Sequence, residues 1–198
     1  MLPFVAIVLS YLVGSITFSI VIAKLFKGID IRNHGSGNAG ATNTLRVLGV
    51  GPAILVLALD LLKGMGSVAL ARAVSDQDWL PVACGLAAII GHNWPIWFKF
   101  KGGKGIATAI GVLSVLVFIP ALIAGVIAIA SIFFTRYVSL GSLIFTFLTP
   151  VFIIFLQFNW ANFIGTLIIC IFAFIRHRSN IVKLWNGTEN KLGSKKGA

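Results

Sequence analysis

Acidic side chains are scarce in this chain of 198 residues, in which five Asp and Glu stand against sixteen Lys and Arg. The net charge of +11 is therefore nowhere answered by a carboxylate-rich segment, and the polar stretches suit anionic ligands. Only two cysteines occur, Cys84 and Cys170, each inside an apolar run without metal-ligand neighbours. The three histidines show no paired spacing with them, so neither a disulfide framework nor a zinc site follows. A basic region is missing ahead of the first apolar run, Leu2 to Leu25, which is also too long for the core of a signal peptide and is expected to remain as a span. Internal repeats are not evident.

Apolar residues make up 58% of the chain, against about 45–50% in soluble domains, so this is an integral membrane protein and all-α by expectation. Spans are read at Leu2–Leu25, Val50–Ala73, Trp79–Trp97, Val138–Phe158 and Trp160–Ile175. The run from Ile106 to Phe134 overshoots a ~30 Å hydrocarbon core as one helix, and Pro120 offers a place to split it in two. With about seven spans, every Lys and Arg except Lys63 and Arg72 falls on one side, Lys195 and Lys196 of the tail included. That side is cytoplasmic by the positive-inside rule, which places the N-terminus outside and the C-terminus inside the cytoplasmic membrane. The charge thus has a topological origin, and nucleic acid is not an expected partner. Asp60 and Lys63 lie one turn apart within the second span, a spacing that suits mutual neutralisation and structural support.

The chain reads as a single polytopic domain over residues 1–198, with polar loops at 26–49, 98–105, 135–142 and 176–198. In the first loop, Gly35, Gly37 and Gly40 are expected to turn consecutive backbone N–H groups toward one point, with Ser36, Asn38, Thr42 and Asn43 around them. Asn38 is expected to cap a helix over Ala39–Leu48 that carries Arg46 and ends at Gly49. The second loop sets Gly102, Gly103 and Lys104 just before a helix start at Ile106. It is not a Walker A loop, since Phe98 stands where that motif needs its first Gly and Gly105 follows the Lys. Ser139 and Ser142 open a span in the third loop, and the fourth offers Arg176, His177, Arg178 and Asn180 ahead of an amphipathic stretch around Ile181 and Trp185. Four such segments describe a site for polyanionic ligands at the membrane surface, which fits either a lipid-metabolising enzyme or a carrier for a phosphorylated organic anion.

Gly35-Ser36-Gly37-Asn38 through Arg46, Gly91-His92 through Gly105, and His177 to Asn180 form three ordered motifs. In these, and over essentially its whole length, the chain resembles the bacterial acyl-phosphate:glycerol-3-phosphate acyltransferases of the PlsY type. The resemblance implies transfer of a fatty acyl group from acyl phosphate to the 1-position of glycerol 3-phosphate, giving lysophosphatidic acid and phosphate in phospholipid synthesis. It implies no cofactor and no metal, and membrane lipids as surroundings; a monomer is expected. The His-x-x-x-x-Asp pair of acyl-CoA-dependent acyltransferases is missing, because Ala39, Trp97 and Val182 follow His34, His92 and His177 at that spacing. No general base stands out, which leaves a substrate phosphate oxygen to take the hydroxyl proton. Ser36, Asn38, Arg46, Lys104, His177 and Asn180 are the expected catalytic set, with Gly37, Gly40, Thr42, Asn43, Gly102, Gly103 and Ser142 as binding residues. Of these, Ser36, Gly37, Asn38, Gly40, Thr42 and the glycine pair are assigned to acyl phosphate, and Arg46, Lys104, Ser142, His177 and Asn180 to glycerol 3-phosphate.

Overall fold

The computed structural model describes residues 1–193, so Lys195, Lys196 and the end of the last polar loop lie outside the described residues. Ten α-helices appear among the described residues, with no strand. They are α1 (Leu2–Gly14), α2 (Phe18–Lys27), α3 (Ala41–Leu48), α4 (Val50–Val74), α5 (Trp79–Asn93), α6 (Ile106–Leu116), α7 (Phe118–Thr135), α8 (Val138–Leu156), α9 (Trp160–Arg176) and α10 (Arg178–Trp185). Single 3-10 turns stand at Ile31–Asn33 and Ile96–Phe98. Four stretches are long and apolar enough to cross a bilayer: Leu2–Lys27, which is broken between α1 and α2, then α4, α7 and α8. A fifth is obtained if α9 and α10, bent by 63° at His177, form one span. Large apolar side chains such as Phe133, Phe134 and Phe155 are exposed on these helices, as expected of surfaces that meet lipid. The backbone packs as two compact units, Met1–Leu116 and the part from Val117 onward.

In the first unit α4 packs against α1, α5 and α6, and α1 against α5. Small residues allow it: a Cβ on Gly111 would collide with the Leu61 carbonyl, and one on Gly64 with that of Thr108, so α4 and α6 approach at backbone distance. Beneath the polar loops, buried Ile20, Ala23, Ile31 and Ala39 pack together, with Val47, Leu48 and Phe98 against them. This small core seats both glycine-rich loops on α2 and α3. In the second unit α8 packs between α7 and α9, and α10 touches both α8 and α9.

Two expected boundaries move. The long apolar run breaks at Val117 (φ −144°, ψ 62°), and Pro120 sits in the first turn of α7. A proline there breaks no hydrogen bond, because first-turn N–H groups have no carbonyl behind them, so it starts a helix instead of marking the turn. Likewise α3 begins at Ala41 with Gly40 as its N-cap and no side-chain cap, and Asn38 lies outside it. Its end at Gly49, with φ 88°, is as expected.

Candidate functional site

The first loop is built by its own hydrogen bonds. Asn43, 1% exposed, accepts from the Ser36 N–H at 2.8 Å through Oδ1 and donates from Nδ2 to the carbonyls of His34 at 2.9 Å and Ile31 at 3.2 Å. Its carboxamide therefore shapes the loop from beneath. Gly35 and Gly37 do adopt positive φ, 61° and 73°, and Val47 and Asn43 leave no room for a Cβ on Gly35. The N–H groups nevertheless turn inward: Gly37 donates to His34 O at 3.1 Å and Gly40 to Asn38 O at 3.2 Å. The expected concavity of backbone donors is thus largely closed by the loop itself. What the loop presents outward is side chain: Ser36 is exposed and Asn38 and Thr42 are half-buried. Arg46 is exposed on α3, whose first-turn N–H groups open at Ala41.

The second loop is held in the same manner. Gly103 donates its N–H to the His92 carbonyl at 3.1 Å, so of the glycine pair this donor is engaged within the protein. A Cβ on Gly102 would strike the His92 carbonyl, and one on Gly103 would strike both the His92 ring and the Ala39 carbonyl. These glycines serve close packing of the two loops. Lys104 is half-buried, whereas Lys99 and Lys101 are exposed. Lys99 and Phe100 both take the left-handed conformation at φ 57°, an uncommon pair of non-glycine residues that turns the chain sharply after Pro95.

Arg32 clamps the loops together. Its guanidinium meets Asp30 at 2.6 Å and donates from Nη1 to the carbonyls of Phe98 at 3.0 Å and Lys101 at 3.3 Å. The hydrogen bonds from Arg32 hold the Asp30 carboxyl below the usual carboxylate range.

The second unit carries the remaining residues. His177 ends α9 and begins α10, is 3% exposed, and its Nδ1 lies 2.8 Å from the Ala173 carbonyl. A carbonyl only accepts, so Nδ1 bears a proton and donates it to Ala173. Asn180 donates from Nδ2 to Glu189 Oε1 at 2.7 Å, and the Ser139 hydroxyl donates to the same oxygen at 2.9 Å. Ser142, buried, bonds back to the Val138 carbonyl at 2.9 Å. Arg136 reaches the Leu192 carbonyl at 2.7 Å through Nη2, and its own carbonyl accepts from the Leu192 N–H at 2.7 Å, so the segment after α10 is fastened to the end of α7. Among the described residues no cluster of His, Cys, Asp and Glu could hold a metal ion.

Residues 4–187 match the family model described as glycerol-3-phosphate acyltransferase. The chain belongs to that family. It is 58% identical to the glycerol-3-phosphate acyltransferase of Halalkalibacterium halodurans over 94% of each chain. With that of Shouchella clausii it shares 54%, over 96% of this chain and 95% of the other. Its fold matches the crystal structure of PlsY, an integral membrane glycerol 3-phosphate acyltransferase, in the glycerol 3-phosphate form, at a TM-score of 0.92 and 40% identity over 96% of each chain. The lysophosphatidic acid form of PlsY matches at a TM-score of 0.89 and 38% identity, over 96% of this chain and 95% of that one. The structure holds three polar features that sequence reasoning passed over: the Asp30–Arg32 clamp, the Glu189 carboxylate that accepts from Asn180, and the meeting of Lys63 with His92. Glu189 carried one signal, being the single glutamate of the chain. The other two depend on residues far apart in sequence.

Proposed function

We propose that this chain transfers a fatty acyl group from acyl phosphate to the sn-1 hydroxyl of glycerol 3-phosphate, releasing lysophosphatidic acid and phosphate, from the cytoplasmic face of a bacterial inner membrane. The observation that carries the reading is the family match over residues 4–187, which includes every expected site residue from Ser36 to Asn180. The chemistry suits them. Acyl phosphate is already activated, so the protein has to bind two phosphates, align hydroxyl with carbonyl and stabilise the charge that develops. The glycerol oxygen attacks the acyl carbon, the bond from that carbon to the phosphate oxygen breaks, and the hydroxyl proton leaves on phosphate.

Ser36, Asn38 and Thr42, with Gly37, Gly40, Gly102 and Gly103 setting the close approach, are assigned to acyl phosphate. Arg46, Lys104, Ser142, His177 and Asn180 are assigned to glycerol 3-phosphate. Because the loop N–H groups are engaged, these side chains and the opening turn of α3 carry the phosphate recognition. Asn43 acts here only through the loop it folds. The one-sided basic residues support a seven-span arrangement with the N-terminus outside, in which α5 and α6, about 22 and 16 Å long, complete the count as short spans. The working unit is a single chain.

The purified protein, given glycerol 3-phosphate and acyl phosphate in detergent, should yield lysophosphatidic acid without any need for membrane sidedness. Acyl-CoA should fail as donor, since the chain lacks the His-x-x-x-x-Asp motif of the acyl-CoA-dependent acyltransferases. Vectorial uptake of glycerol 3-phosphate into vesicles with no acylated product would replace this reading with the carrier.

A further inference from the structure

Three buried ionisable side chains take no part in the chemistry just described. Asp60 and Lys63 of α4 and His92 of α5 are 1%, 4% and 3% exposed. The Lys63 ammonium lies 2.7 Å from Asp60 Oδ1, 2.9 Å from the Ile16 carbonyl and 2.8 Å from His92 Nδ1. The ammonium thus pairs with the Asp60 carboxylate and makes hydrogen bonds to the Ile16 carbonyl and to His92 Nδ1, the carbonyl being one that the break between α1 and α2 leaves without a helical partner.

Lys63 Nζ approaches His92 Nδ1 to 2.8 Å, closer than Asp60 Oδ1 does at 3.5 Å, and an ammonium carries only donors. His92 Nδ1 consequently accepts, and the ring is neutral with its proton on Nε2. That edge of the ring faces backbone: a Cβ on Gly103 would collide with Nε2 on one side and the Ala39 carbonyl on the other. The same histidine also receives the Gly103 N–H on its carbonyl at 3.1 Å. A single residue, oriented from below by an ion pair, therefore touches the point where the two glycine-rich loops meet.

We propose that Asp60, Lys63 and His92 form a positioning relay in which the buried ion pair holds His92 as the Nε2–H tautomer against the Gly103 and Ala39 backbone, so that the two loops keep one spacing for a substrate phosphate. The last clause rests on the reading that these loops bind phosphate; the tautomer does not. Asp60 keeps the ammonium charged in apolar surroundings, Lys63 sets the ring, and His92 sets the loops.

Two measurements separate the relay from the reading. In protein labelled with 15N-histidine and placed in lipid nanodiscs, His92, identified by its loss in His92→Gln, should show a bare Nδ1 and a protonated Nε2 at neutral pH. A protonated Nδ1, whether as the other tautomer or as imidazolium, overturns the proposal. The second measurement is kinetic. Asp60→Asn with Lys63→Met removes both charges together and strands neither, and should raise KM for glycerol 3-phosphate about tenfold while kcat falls no more than about threefold. His92→Gln, whose amide N–H falls where Nε2–H stood, should keep at least about five times the kcat/KM of His92→Leu and should recover part of the loss in the double variant. An unchanged KM, or equal losses in His92→Gln and His92→Leu, overturns the relay. Should the double variant fail to fold, the tautomer decides alone. If Lys104→Ala keeps full activity while the tautomer is as stated, it is the phosphate reading that has failed.

Discussion

Lys104 differs from its neighbours in surroundings more than in charge. Lys99 and Lys101 are exposed, whereas Lys104 is half-buried between Gly103 and Gly105, directly before α6. Positive-inside anchoring depends on summed charge, so under that role alone the three would be interchangeable. A charge-assisted hydrogen bond to a phosphate contributes roughly 1.5–3 kcal/mol. Lys104→Ala should therefore lower kcat/KM at least about tenfold, with Lys99→Ala and Lys101→Ala within about twofold of the parent. Lys104→Arg should recover little, because a planar fork does not occupy the place of a compact ammonium among glycines. Steady-state kinetics at matched membrane expression decide this, and equal activity in all three Ala variants would reduce Lys104 to an anchor. Asn43 teaches the opposite lesson at the same scale: its type and place in a polar motif suggest a ligand contact, yet 1% exposure and three hydrogen bonds make it part of the loop's frame.

Between elements, the Asp30–Arg32 pair determines how the loop before α3 meets the loop before α6. The pair is partly exposed, at 25% for Arg32 and 33% for Asp30, so as an ion pair it adds at most about 1 kcal/mol. Its importance lies in the two carbonyls, of Phe98 and Lys101, that Arg32 gathers. Losing those bonds in Arg32→Ala should cost about 1 kcal/mol in loop order, read as a roughly fivefold drop in kcat/KM for glycerol 3-phosphate. Asp30→Asn should fall between Arg32→Ala and the parent, because the guanidinium can still reach both carbonyls. The carboxyl of Asp30 is lowered in the folded protein, so its contribution is complete above the unfolded carboxylate value near ~4 and disappears as pH falls through the folded value. At neutral pH the clamp is fully made. Acid titration of activity should show an extra loss below about pH 4 in the parent that Asp30→Asn lacks. A superimposable profile for the two would remove Asp30 from the clamp.

For the molecule as a whole, the open question with the plainest test is sidedness. Cysteines placed singly at Asp76 and at Ser194, in a background with Cys84 and Cys170 replaced by Ser, should be labelled by an impermeant maleimide from opposite faces of intact cells or inverted vesicles. Asp76 should react from outside and Ser194 from the cytoplasm. Labelling of both from one face would break the seven-span count, because one span more or fewer inverts everything downstream.

Sequence alone determined what depends on local length and composition. Hydrocarbon admits only helices and closed barrels, whose backbone groups are all bonded internally, so apolar runs of about twenty residues declare helices. Glycine at position 49 ends α3 because only a residue tolerant of φ 88° stands there without strain. The three ordered motifs pointed to the family before any contact was known. Tertiary structure decided everything that rests on pairing across distance: which donors the loops keep for themselves, that Arg32 finds carbonyls 66 and 69 residues away, and that Lys63 meets a histidine 29 residues on. It also moved the break in the long apolar run to Val117, since a proline three residues into a helix obstructs nothing. Residue type states what a group can bond; only the packed chain settles what it does bond, because a buried donor takes whichever acceptor the fold brings within about 3 Å.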